Sequence, residues 1–123
     1  MADVITGAAG EWIQREIGGI AEGFNDQVIL PQGDTVVLPA DGERIWFTLV
    51  NLGTTAVFIH FGFLANRFAG IQLAPNGGSY SANIRDDFII PSQQIRAQSN
   101  TADIPLYLAY VRRYQVVPRI GGN

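Results

Sequence analysis

His60 is the single imidazole of the chain, set between Ile59 and Phe61 in an apolar run. A metal-dependent barrel enzyme needs several histidines and a carboxylate around its ion, and one histidine cannot build that site. Every Ser-His-Asp arrangement would have to use the same imidazole. His60 is therefore expected to pack or to line an interface. Asp86-Asp87, behind Arg85, could hold a divalent cation together with Asp41 or Asp103; the ordinary outcome for such a pair is a solvated loop beside an arginine. Gly77-Gly78 follows Pro75-Asn76, but the helix start and the lysine of a phosphate loop are missing, so this segment reads as a hairpin turn. Arg112-Arg113, with Arg119 nearby, is the basic cluster of the sequence. Adjacent strand residues point to opposite faces, so at most one of the pair joins a given surface, where an acidic neighbouring subunit would suit it. Trp46, Phe58, Tyr80, Tyr107 and Tyr110 could form a sugar-stacking platform if they were not needed for a core. No catalytic group, cofactor site or metal site is expected, and the chain does not read as an enzyme.

Composition points the same way. At 123 residues, 47% of them hydrophobic and 15% charged, the chain is one domain with an unusually neutral surface. A domain of this length buries roughly 65% of its unfolded surface. With no cysteine there is neither a disulfide framework nor a thiolate nucleophile. A net charge of −3 argues against general nucleic-acid binding, which works by neutralising phosphates. No run of apolar residues is long enough to cross a membrane, and the start MADVITGAAGEW lacks the basic and apolar regions of a signal peptide. All 8 basic residues are arginine. Arginine is weakly hydrated and enriched at interfaces, where lysine is depleted.

The elements that must position these residues fall into three zones: an N-terminal arm over 1–26, a β domain over 27–116 and a tail over 117–123. In the arm, Ile13, Ile17, Ile20 and Phe24 repeat at helical spacing beside Trp12, which predicts a weak helical stripe that needs a partner surface. Gly18, Gly19 and Gly23 interrupt it, each costing about 1 kcal/mol against alanine in a helix. The middle zone predicts strands at 27–30, 35–39, 44–51, 56–62, 70–73, 79–83, 87–90, 94–98 and 105–116, separated by Pro, Gly, Asn and Asp turns. Strands this short and regular predict an all-β fold, a small antiparallel β-sandwich of jelly-roll-like form with an N-terminal arm containing a short helix. Strands 44–51 and 56–62, joined across Gly53, are expected to form a hairpin. Alternation places Ile45, Phe47 and Leu49 inward and Trp46, Thr48 and Val50 outward; Phe58 and Tyr107 also fall on outer faces. A sheet that faces water should be polar there. Trp46, Phe58, Tyr107, Arg112 and Arg113, with Trp12, Ile13, Ile17, Ile20 and Phe24 of the arm, are the expected partner-binding residues.

The stretch 44–114 resembles a known group. RIWFTLVNLGTTAVFIHFG, GIQLAPNGGSY, FIIPSQQIRAQS and LYLAYVRRY are similar to the small β-sandwich virion proteins of tailed bacteriophages, which include head decoration (cement) proteins and capsid- or fibre-attached modules. The turns Asn51-Leu52-Gly53 and Leu73-Ala74-Pro75-Asn76-Gly77 carry most of the likeness; Arg112-Arg113 and the Trp-bearing N-terminal segment depart from it. The resemblance implies a non-enzymatic virion protein assembled in the host bacterial cytoplasm. It would bind the major capsid protein or neighbouring virion proteins, without nucleic acid or membrane, and self-associate as a trimer. The alternative is a carbohydrate-binding or host-attachment module of the particle.

Overall fold

Period-two alternation organises the chain, which the computed structural model describes over residues 3–62, 70–87 and 90–114, into strands with little helix. In order these are β1 (Asp3–Val4), α1 (Gly7–Glu16), β2 (Ile20–Leu30), β3 (Gly33–Leu38), β4 (Arg44–Asn51), β5 (Val57–Phe61), β6 (Ile71–Leu73), β7 (Ser79–Asn83), the short α2 (Ile84–Asp87), a 3-10 turn (Ile90–Ser92), β8 (Ile95–Ser99) and β9 (Ile104–Tyr114). One sheet has five strands in the order β1-β2-β9-β4-β7, the other four in the order β3-β8-β5-β6, and every pairing is antiparallel. From β2 onward the chain crosses between sheets at every step except β5 to β6, which makes β2–β9 an eight-stranded jelly-roll sandwich with β1 added at one edge. The expected all-β sandwich is the fold observed.

The inner faces carry the core. Leu30, Phe47, Leu49, Leu106 and Leu108 of the larger sheet meet Leu38, Val57, Ile59, Leu73, Ile95 and Ala97 of the smaller. Phe47, Phe61 and Tyr80 form a tilted aromatic trio, with ring centroids 5.8–6.4 Å apart.

Several expected connections are corrected. β4 and β5 are not a hairpin: they lie in different sheets, and the chain arches between them. The buried Asn51 side chain holds the arch, donating to the Thr55 and Leu73 carbonyls and accepting from the Gly53 N–H. Gly53 is packed so closely that a Cβ would stand 2.8 Å from Ile104 Cγ2. The Gly77-Gly78 turn likewise joins β6 to β7 across the two sheets and is not a hairpin. The strand expected at 87–90 is replaced by α2, which ends at Asp87, and by the 3-10 turn beginning at Ile90; residues 88–89 lie outside the described residues, as do 115–123.

The N-terminal stripe is divided rather than continuous. α1 stops at Glu16, where the N–H groups of Ile17 and Gly18 both bond the Ile13 carbonyl at 2.9 Å. Gly18 and Gly19 then take φ +89° and +78°, a conformation glycine adopts without strain. A Cβ on Gly19 would also collide with the Tyr114 carbonyl. The glycines therefore turn the chain into β2, and Ile20 and Phe24 belong to a strand. β2 pairs with β9 along its whole length, from Ile20 opposite Tyr114 to Leu30 opposite Ile104, so the boundary expected after residue 26 falls inside a sheet strand.

Candidate interaction surfaces

The outer face of the five-stranded sheet divides into two halves. Over one half lies α1, where Ile13, Ala21 and Ile45 form a second apolar cluster with Ile5, Trp12, Ile17 and Val111 around them. Ile45 is a correction, since alternation placed it inward with Phe47 and Leu49. The register slips between Arg44 and Trp46, and this β-bulge puts Ile45 on the same face as Trp46. Arg44 is thereby turned inward, 2% exposed, and donates to the backbone carbonyls of Pro91 (2.7 Å), Pro39 (2.9 Å) and Gln93 (2.5 Å). Burial lowers the Arg44 pKa from its ordinary value, opposed by the nearby Asp41 carboxylate. Beside α1 remains an apolar groove of about 410 Å³, with Ala9 and Trp12 on the helix, Trp46 and Val111 on the sheet, and Ile84 and Arg85 of α2 on the far wall.

The other half has no covering segment among the described residues. Tyr107 sits between Gln27 on β2 and Val50 on β4, and the next row holds Asn25, Ala109, Thr48 and Ser81. At the end of this face Ile29 is 56% and Leu52 46% exposed, on either side of Pro105: Ile29 is its register partner and the Leu52 N–H donates to its carbonyl. The flank of β2 is also open. β1 reaches only Glu22 and Gly23, so residues 24–30 have no strand partner on that side among the described residues, and the Gln27 N–H is answered by the Asp26 carboxylate at 2.8 Å. Phe24 lies here too, stacked on Tyr110 at 4.9 Å over an opening of about 440 Å³ between β2 and β3.

Phe58 and His60 fall on the outer face of the smaller sheet, opposite Gln98 and Arg96, and Arg96 pairs with Asp34. The structure therefore distributes the expected partner-binding residues. Trp12, Ile17 and Trp46 meet at the groove, with Ile13 buried behind them; Tyr107 stands on the open half; Phe58 faces away on the other sheet; and Ile20 lies exposed near the end of β2.

Arg112 and Arg113 do point to opposite faces, but each is engaged within the chain, which corrects the expectation that they await an acidic neighbour. Arg112 Nε donates to Asp41 Oδ2 at 2.7 Å and its guanidinium lies 4.7 Å from the Tyr114 ring centroid; Arg113 bonds Glu43 at 2.7 Å and the Ile17 carbonyl at 2.9 Å. Burial pushes the Asp41 carboxyl up, yet the Glu43 N–H and the Arg112 guanidinium outweigh it and hold the pKa below the usual value.

No catalytic constellation assembles among the described residues, and no three His, Asp or Glu side chains gather there as metal ligands. Asp86 and Asp87 fasten a local turn: the Asn83 N–H and amide donate to their carboxylates, and the Asp86 N–H donates back to Asn83 Oδ1. Ile29, Leu52 and Pro105 were not singled out in the sequence, and Val50 only as an outward strand position. They emerge as a surface only because β2, β4 and β9 lie side by side.

The strand order and the crossing between sheets define a jelly-roll protein. No family model and no curated protein matches the chain. The fold is similar to a solved structure from the disulfide-linked pili of Bacillus endospore appendages, with a TM-score of 0.50 and 9% sequence identity, covering 94% of this chain and 92% of that one. The likeness shows the shared fold. The 123 residues here contain no cysteine, so a disulfide link is not open to them.

Proposed function

We propose that this chain is a non-enzymatic structural protein of a larger particle, and in the narrower form a bacteriophage virion protein that decorates and stabilises the capsid. The observation that carries the reading is the half of the five-stranded sheet left open by the described residues: Tyr107, Val50, Ile29 and Leu52 around Pro105 form an apolar surface beside a strand edge that is unpaired among the described residues. Contiguous apolar surface and free edges of this kind mark protein contacts, and natural sheets otherwise block them. The resemblance of residues 44–114 to small virion sandwiches supports the virion setting. The fold shared with a pilus protein is compatible with assembly. The partner is then the major capsid protein or a neighbouring virion protein, with self-association as a trimer.

The test is light scattering of the chain alone and co-sedimentation with shells of the candidate capsid protein. Tyr107→Ala with Ile29→Asp is expected to leave circular dichroism and melting unchanged and to weaken association by tenfold or more, as loss of a central aromatic anchor does. A wild-type chain that stays monomeric and leaves the shells bare refutes the proposal. Gln27 beside Tyr107, with Asn25, Thr48 and Ser81 in the next row, favours a second reading, a glycan-binding face, which a glycan array tests directly.

A further inference from the structure

Residues 24–30 of β2 form a free flank of the larger sheet among the described residues: β1 occupies the edge only as far as Gly23, and the strand ends at Leu30, before Pro31. Strand geometry fixes which backbone groups point outward there. The Ile5 N–H donates to the Ala21 carbonyl from the β1 side. In the same alternation, the N–H and C=O groups of Asn25, Gln27 and Ile29 also face away from β9. This set is self-complementary. A second copy laid antiparallel about a two-fold axis at Gln27 would pair Asn25 with Ile29, Gln27 with its own twin and Ile29 with Asn25, each pair exchanging both of its hydrogen bonds. No other two-fold register engages all of these residues. The segment has no proline, and its one charge is Asp26.

Asp26 is exposed, and its Oδ1 accepts the Gln27 N–H at 2.8 Å. The carboxylate therefore stands where the carbonyl of an incoming strand would have to accept, at the centre of the pairing. In the two-fold register Asp26 would also lie opposite Val28 of the second copy and diagonal to that copy's Asp26, roughly 7–8 Å away, where like charges repel. Charged side chains on open strands serve this purpose in natural sheets. We infer that Asp26 guards the β2 edge against a second copy of this chain, by capping the central N–H and by setting a charge beside its own twin. Self-association is thereby left to other surfaces. The guard acts on the free chain, whatever partner the open face takes.

Light scattering and residue-resolved hydrogen exchange of the full chain, each over a concentration series, test this. In the wild type the Asn25, Gln27 and Ile29 amides are expected to exchange at rates independent of concentration, even where the chain associates through another surface. Asp26→Ala removes both the cap and the charge. It is expected to raise self-association by about tenfold or more and to protect those amides as concentration rises. Asp26→Asn keeps an acceptor for the Gln27 N–H and loses only the charge, so the expected gain is smaller, about two- to tenfold. Adding Gln27→Lys to Asp26→Ala sets like charges directly opposite one another across the axis and returns both readouts to those of the wild type. Gln27→Pro, which deletes an N–H that β9 does not use, gives the same reversal should the lysine be accommodated. The guard is overturned if Asp26→Ala matches the wild type in mass and amide exchange, if the wild-type amides gain protection with concentration, or if the association of Asp26→Ala survives both changes at Gln27. A wild type that leaves capsid shells bare bears on the proposed function alone.

Discussion

Arg44 ties β4 to two other stretches of chain, and replacing it tests whether a buried cation organises this end of the sandwich. Its guanidinium donates to Pro39 beyond β3 and to Pro91 and Gln93 around the 3-10 turn before β8. Arg44→Met keeps most of the stem and removes every donor. The bond to Pro91 is buried, so its carbonyl loses its partner where water does not reach, a loss of about 1–3 kcal/mol. The bonds to Pro39 and Gln93 are partly exposed, and water replaces the donor there at a cost of about 0.5–1 kcal/mol each. Against this stands relief of the penalty for burying a charge, the reason buried ionic groups exchanged for apolar ones are sometimes neutral. The expected net loss is about 2 kcal/mol, or roughly 8 °C in melting temperature for a domain of this size. Arg44→Lys retains charge and stem but lacks a planar fork with five donors, so it is expected to lose stability as well, although less. Urea denaturation and calorimetry of the two variants decide the matter. A methionine variant as stable as the wild type, or more so, would show that burial of the cation outweighs its three hydrogen bonds.

Asp41 gives the pH dependence its sign. Its folded pKa is depressed, so its contribution is present above the unfolded value of about 3.9 and is lost as pH falls through the folded value. Melting temperature measured from pH 5 downward should therefore fall less steeply for Asp41→Asn than for the wild type; parallel curves would contradict the Arg112 and Glu43 contacts. Asn51→Ala leaves the Gly53 N–H and the Thr55 and Leu73 carbonyls of the arch unanswered and is expected to destabilise by about 2–4 kcal/mol in chemical denaturation. Deleting residues 1–18 should leave a folded jelly roll with its α1 cluster exposed. Deleting 1–26 also removes more than half of β2 and should unfold the domain in circular dichroism, and a folded product would show that β9 does not need that partner.

The split outer face decides how the two-sided apolar strands are understood. A chain whose outer strand positions carry Trp46, Val50 and Tyr107 needs a cover. The helix supplies it for Trp46, through Trp12 and Ile17, whereas Val50, Tyr107 and Ile29 are left without one among the described residues. On one half of the sheet the cover is the chain's own helix and not a partner, and on the other half a partner stands as the proposal.

What the sequence determined by itself was the local and periodic part. Alternation in 44–51 and 79–83 yielded β4 and β7 with their bounds, the Pro, Gly and Asn clusters marked breaks between strands, and strand length and number led to a sandwich. The lone imidazole and the absence of cysteine limit the chemistry open to the chain whatever its fold. Tertiary structure decided the rest. A four-residue link after Asn51 suits a hairpin or an inter-sheet arch equally well, and only the burial of the Asn51 amide among Thr55, Leu73 and Gly53 selects the arch. Ile20 and Phe24 continue a helical spacing, but Gly18 and Gly19 end the helix and eleven residues of pairing with β9 outweigh the propensity of the segment. Ile45 changed faces because a bulge inserts one residue, which no alternation pattern registers. Arg112 and Arg113 found Asp41 and Glu43, some seventy positions away along the chain, because the segment between β3 and β4 folds against β9. Periodicity acts between neighbours in the chain, whereas pairing, burial and charge act between neighbours in space.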